Sequence, residues 1–251
     1  MGIQKVELDI LDSDGEKLDV LPVMRVTKTR GSALFVTSSA VRLLILYFLH
    51  NEHLANPFSN PKTCVKALTM LIFKWTGARE HVFVYKSPVR TDRWPSIRIT
   101  IAYRNGQRRD AQGEATHFFT KLSDDDDDPY LSTAGYLLNW AVHTGAVEAS
   151  SMAELQRTIS APSFSHIEWT HPNRPVLCAS DQDGELQYDS PAHAHHIGRY
   201  VRAITRSVPA LHDMKCSALR WGSIYEAWEM GRVDAALAML DECREVDSSA
   251  S

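Results

Sequence analysis

Two apolar runs, Ala40 to His50 and a stretch from about Lys62 to Trp75, constrain this chain most, because each begins and ends at residues that start and stop helices. Thr37-Ser38-Ser39 supplies an N-cap for the first, where Val41, Leu44, Ile45 and Phe48 recur at helical spacing. The second follows the Pro/Asn loop from Asn56 to Pro61 and stops at Thr76-Gly77, where glycine can take the left-handed C′ conformation. Both are core helices. The run from Ala40 to Leu49 is broken by Arg42 and has about half the length a bilayer-spanning helix needs, so no membrane span is expected.

Strand-type segments surround this helical pair. Val6 to Ile10 and Leu18 to Val26 flank Asp12-Ser-Asp-Gly15, which predicts an N-terminal β-hairpin. His81 to Lys86, Ser96 to Tyr103 and Ala115 to Leu122 are rich in Val, Ile, Phe and Tyr, with Asn105-Gly106 between the last two, and predict a small antiparallel three-stranded sheet. Further helices are expected at Tyr130 to His143, Met152 to Ile159, Ala192 to Arg206, Ser217 to Met230 and Val233 to Arg244. A short hairpin is expected from Pro175-Val-Leu-Cys178 and Asp183-Gly184-Glu-Leu-Gln-Tyr188. The fold class is therefore α+β, mainly helical with that small sheet. No repeat or linker is visible, so residues 1–30 read as a hairpin extension, 31–245 as one domain and 246–251 as a disordered tail.

With 251 residues, 44% hydrophobic, the chain can bury a sizeable core. Its net charge of −4 conceals a strong asymmetry: residues 21–110 hold fifteen Lys/Arg against four acidic groups, a net of +11. Clustered positive charge attracts polyphosphate by releasing condensed counterions. Acidic groups gather elsewhere, in the pentad Asp124 to Asp128 and in residues 226–251, which hold seven against two basic groups. The pentad reads as an exposed loop, with divalent-cation binding as the alternative. Four scattered cysteines and an N-terminus without an apolar signal core point to a reducing intracellular setting.

Two arginines stand at positions suited to an anion. Arg79, in Lys74-Trp-Thr-Gly77-Ala-Arg79-Glu80, follows a helix-ending glycine, where backbone can hold a guanidinium for bidentate phosphate contact. Arg220, in Ser217-Ala-Leu-Arg220-Trp-Gly, lies near the start of a helix whose positive dipole end also favours an anion. The alternatives are an arginine paired with Glu80 or solvent, and an ordinary core α-hairpin turning at Gly231.

Taken in order, these segments resemble the catalytic domain of the tyrosine recombinase (phage integrase) superfamily, in particular its eukaryotic mobile-element branch. The capped helix and the Thr-Gly-Ala-Arg79-Glu ending resemble its first arginine box. The predicted sheet at 82–122 follows, then Pro129-Tyr-Leu-Ser-Thr-Ala-Gly-Tyr-Leu-Leu-Asn-Trp140 and the helix from His193 to Ile204, and Ser217-Ala-Leu-Arg220-Trp-Gly resembles the second box. The resemblance covers roughly residues 30 to 240. It implies DNA as partner and a phosphate held by two arginines and a histidine, with a sheet lysine protonating the leaving oxygen and a C-terminal tyrosine attacking. Arg79 and Arg220 match the two arginines, and Arg104 stands at the lysine's place, with Arg108 as substitute. Ser217 replaces the histidine, and no tyrosine follows Tyr225. The implied protein binds DNA, has lost strand transfer, needs no cofactor, and is nuclear if eukaryotic. RNA stays open beside DNA, since phosphate contacts do not distinguish them.

Two other readings stay open. One is a non-enzymatic helical interaction or structural protein, of viral type, whose arginines pair with Asp124 to Asp128 and the acidic C-terminus. The other is a metal site at His193, His195 and His196, with His166, His171 and His212-Asp213 as completions, against solvent-facing histidines at a helix start. No Gly-rich phosphate loop, H-E-x-x-H or G-x-S-x-G motif occurs.

Overall fold

A computed structural model describes residues 2–11, 17–28, 31–52, 58, 60–77, 84–89, 96–101, 116–121, 130–161, 167–171, 174–206, 208, 211 and 214–237. The chain divides into two compact units, where the sequence reads residues 31–245 as one domain. Unit 1 takes in Met1–Ala55, Thr69–Glu80 and Ile197–Ser251, and unit 2 takes in Asn56–Leu68 and His81–His196.

Unit 1 opens with three antiparallel strands, β1 (Gly2–Leu11), β2 (Lys17–Lys28) and β3 (Gly31–Val36), in that order. The predicted hairpin is thus a meander with one strand more than expected. That third strand, Gly-Ser-Ala-Leu-Phe-Val, is short and lacks the alternation that marks β1, so pairing with β2 defines it. Pro22 lies inside β2, but β3 pairs only from Val23 onward, so the missing N–H falls where β2 has a single neighbour.

Helix α1 (Ser38–Asn51) follows, capped as expected by Thr37, whose hydroxyl accepts from the Ala40 N–H at 3.2 Å. It lies against β2, and Val41, Leu44, Ile45 and Phe48 are all buried. Helix α2 (Pro61–Thr76) starts with proline in its first turn and ends at Gly77, whose φ of 62° ends the helix in the left-handed conformation. Its residues up to Leu68 belong to unit 2 and those from Thr69 to unit 1. From Cys64 to Lys74 nearly every side chain is buried, so this helix is interior on most of its circumference. Unit 1 closes with α6 (Cys216–Glu229), which lies against β3 and stops at Gly231, where φ is 70°. A helical segment at 233–237 comes next, and the rest of the helix expected to Arg244 lies outside the described residues.

In unit 2, β4 (Val84–Val89), β5 (Ser96–Ile101) and β6 (Thr116–Lys121) pair antiparallel in chain order, with Pro88 on the edge strand. Helix α3 (Thr133–His143) begins at the Ser132 cap, three residues later than Tyr130, because the Ser132 hydroxyl takes the Gly135 N–H at 3.0 Å. Helix α4 (Met152–Ile159) carries a reciprocal cap: Ser151 accepts from the Glu154 N–H, while Glu154 accepts from the Ser150 N–H and hydroxyl. These Ser150 hydrogen bonds hold the Glu154 carboxyl below its ordinary pKa. Strands β7 (Cys178–Ser180) and β8 (Leu186–Pro191) form the expected hairpin, turning at Gly184. Helix α5 (Ala194–Thr205) starts two residues after the expected Ala192, and its residues from Ile197 belong to unit 1.

Helix outweighs strand among the described residues and every sheet is antiparallel, as the α+β, mainly helical reading requires. The small sheet expected at 81–122 is that of β4, β5 and β6, and the expected hairpin β7–β8 is a separate two-stranded sheet.

Candidate functional site

At the C-terminal end of α2, Lys74 is 0% exposed, although a lysine is almost never buried without a partner. Its ammonium donates to the carbonyl of Val36, the last residue of β3, at 2.9 Å and meets the Glu226 carboxylate of α6 at 2.7 Å. Glu226 in turn accepts from the backbone N–H of Ser38 at 2.6 Å and from its hydroxyl at 2.7 Å, at the first turn of α1. A carboxylate beside the opening N–H groups of a helix is favoured by the helix dipole. Four elements of unit 1 therefore converge on one buried ion pair: β3, α1, α2 and α6.

Two further contacts fix α6 there. The Ser223 hydroxyl donates to the Lys74 carbonyl as well as to Leu219 of its own helix. Gly222 faces the end of β3 so closely that an added Cβ would stand 2.6 Å from the Val36 carbonyl carbon and 3.0 Å from the Lys74 ammonium. Glycine is what lets the helix approach. Phe35 stacks on Trp221 with ring centroids 5.9 Å apart, and Tyr225 packs against Phe35 as well.

Burial and pairing act on Lys74 in opposite directions. Burial pushes the Lys74 pKa down, and the charge and hydrogen bond of Glu226 push it up by less. Desolvation prevails because Lys74 has no exposed surface, while the Glu226 side chain keeps 20% of its own.

Of the arginines expected to hold a phosphate, Arg220 lies on α6, 5% exposed, one turn before Ser223. Arg79 and Arg104, and with them Arg108, lie outside the described residues. Ser217, in the first turn of α6, is exposed. Neither Lys74 nor Glu226 is marked as functional by the sequence. The available signals are a lysine within the apolar end of a helix and a glycine inside a helical run, and neither says which partner awaits it.

The other candidates differ. His193, His195 and His196 do gather at the start of α5, with ring centroids 6.0, 5.9 and 3.8 Å apart. His196 is buried, and its Nδ1 accepts from the His193 backbone N–H at 3.1 Å, which gives that nitrogen a capping role. Among the described residues no group of three or more His, Cys, Asp or Glu is arranged to hold a metal ion. The proposed completions His166 and His212-Asp213 lie outside the described residues, as do Asp124 to Asp128. A small cleft in unit 2 is lined by Trp140, Trp169, Arg174 and Tyr188 among others. Its cation is committed, because Arg174 Nε donates to Asp189 at 2.8 Å and Nη1 to the Thr144 carbonyl at 2.6 Å. Cys64, Cys178 and Cys216 are buried thiols outside any disulfide, and burial pushes Cys64 up to about 12 and Cys178 to about 11. Among the described residues no helix is long and apolar enough to cross a membrane.

No family model, no curated protein and no solved structure matches this chain.

Proposed function

We propose that the chain is a DNA-binding protein of tyrosine-recombinase type, which grips phosphate through Arg79 and Arg220 and binds without cutting. One observation carries the reading. The end of α2, three residues before Gly77 and five before Arg79, is joined to α6, the helix of Arg220, by the Ser223 hydrogen bond to Lys74 and by the Lys74–Glu226 pair. Segments about 140 residues apart in sequence are thereby held side by side, which is what a two-arginine clamp needs. The net charge of +11 over residues 21–110 supports the same partner, since it supplies a long-range attraction to any polyphosphate. A buried guanidinium also acts in a low-dielectric setting, where its attraction to an anion is least screened. Ser217 stands where the family has its histidine and supplies no imidazole, so the proposal is limited to binding.

Fluorescence anisotropy with a short labelled duplex over a series of salt concentrations tests this. Affinity should fall steeply with salt, with a log–log slope of about −0.9 for each phosphate neutralised. Arg79→Ala and Arg220→Lys should each weaken binding and make the slope shallower by about one unit. Lysine is chosen at position 220 because it keeps the charge and most of the buried volume while losing the planar fork. Absence of binding at low salt, or arginine variants indistinguishable from the wild type, would refute the reading.

A second reading, a helical interaction protein, is favoured by a separate observation. Trp228, Met230, Val233 and Leu237 are all exposed within ten residues, at the end of α6 and just beyond it. Light scattering without nucleic acid distinguishes the two: self-association that Trp228→Gln with Leu237→Gln abolishes supports the second, and a monomer at all concentrations opposes it.

A further inference from the structure

The Lys74–Glu226 pair is an unusual element to find beside a proposed phosphate clamp, because its ammonium is spent on a carboxylate of the chain itself. Among the described residues its polar contacts are internal: Val36, Glu226 and, through Glu226, Ser38. A buried pair of this kind adds little net stability over apolar residues of equal volume, and what such pairs supply is a defined arrangement. Here the arrangement is the rotation of α6 about its own axis. Ser223 and Glu226 face Lys74 and Ser38, Gly222 abuts the end of β3, and Arg220 lies one helical turn before Ser223. An arginine fork binds phosphate bidentately only within narrow angular limits, of the order of 10–20°. Turning α6 beyond that range would leave Arg220 in place along the helix yet misaimed.

We infer that Lys74 and Glu226 are positioning residues: their closed pair, completed by Ser38, sets the rotation of α6 and so the aim of the Arg220 guanidinium at phosphate. This rests on the reading of Arg220 as a phosphate ligand. Glu226 and Ser38 do the angular work, because they tie α6 to the start of α1 through two hydrogen bonds to different carboxylate oxygens. Lys74 does the radial work, since it fills the space left by Gly222 and draws the carboxylate inward. The cationic centre is thus used for geometry, and the anion is left to the arginines.

The test compares Glu226→Ala with Glu226→Gln for duplex-DNA affinity, salt slope and melting temperature. Glu226→Ala should bind about tenfold more weakly with a slope about one unit shallower, the signature of a lost arginine–phosphate contact. Glu226→Gln keeps an acceptor for Ser38 and Lys74 and should recover affinity to within about twofold. A merely structural role would alter melting without altering the slope of the folded protein. A folded Glu226→Ala variant with wild-type affinity and slope overturns the inference and leaves the phosphate reading standing. A Gln variant as weak as Ala overturns it too, by assigning the effect to charge. Should Glu226→Ala not melt cooperatively, Lys74→Met with Glu226→Leu, an apolar replacement of like size, carries the same expectations. Wild-type protein that binds no DNA defeats the phosphate reading itself, and this inference with it.

Discussion

Gly222 is the residue at which the close approach of α6 to β3 is decided. A methyl group there would press on the Val36 carbonyl, and backbone cannot move aside as a flexible side chain can. Gly222→Ala should therefore destabilise the protein by about 3 kcal/mol or more, measured as a lowered urea midpoint, because α6 must shift outward and stretch the Lys74 contacts. Alanine is otherwise the better helix former by about 1 kcal/mol, so a stabilised variant would contradict the packing described. Lys74 makes a second prediction, with a sign opposite to that of an ordinary ion pair. Burial lowers its folded-state pKa below the usual 10.5, so the unfolded chain holds the proton up to higher pH. Between the lowered value and 10.5 the unfolded state binds more protons, and stability rises with pH across that window. Wild-type stability should gain on that of Lys74→Met as pH is raised through that window to 10.5, in paired urea titrations. The cysteines give a third. With Cys64 pushed up to about 12 and Cys178 to about 11 and both buried, neither should react with a thiol reagent at mildly alkaline pH until the protein is unfolded.

At the scale of the element, the helix ends account for most of the local order. Thr37 caps α1 and sits between Val36, which receives Lys74, and Ser38, which donates to Glu226. Removing its hydroxyl with Thr37→Ala should cost about 1 kcal/mol, as for caps in general, read from a thermal or urea transition. A larger loss would show that the cap and the buried pair act as one network. Helix α2 stands at the opposite extreme from α4. It owes little to surface charge and is buried on most sides, whereas α4 buries only Leu155 and is held at its start by the Ser150, Ser151 and Glu154 hydrogen bonds. α4 should fray first.

For the whole molecule, the two units should answer differently to a polyanion. A ligand that binds only the folded state stabilises it, by about 2.7 kcal/mol at a hundredfold excess over its Kd. If phosphate is gripped in unit 1, hydrogen exchange on adding duplex DNA should slow at the end of α2 and in α6 and remain unchanged in α3 and α4. Uniform slowing, or protection confined to α3, would place the interface elsewhere.

What could be read directly from residue order was local. The Thr37 cap, the Gly77 stop, the end of α3 at His143, the whole of α4 and the β7–β8 hairpin follow from short-range hydrogen bonding and from side-chain period, which depend on neighbours in sequence. The third strand of the N-terminal meander was not legible, because β3 exists through its pairing with β2. Arg220 could be singled out by type and helix position, but its burial could not. Lys74, Glu226, Ser38 and Gly222 were missed as a group, since they lie up to 188 residues apart and only folding joins them. An ammonium can be desolvated only where a carboxylate and a carbonyl are already in place, and that condition belongs to the tertiary structure: the sequence determined which helices and turns form, and the packing of α6 on β3 decided which of their polar groups meet.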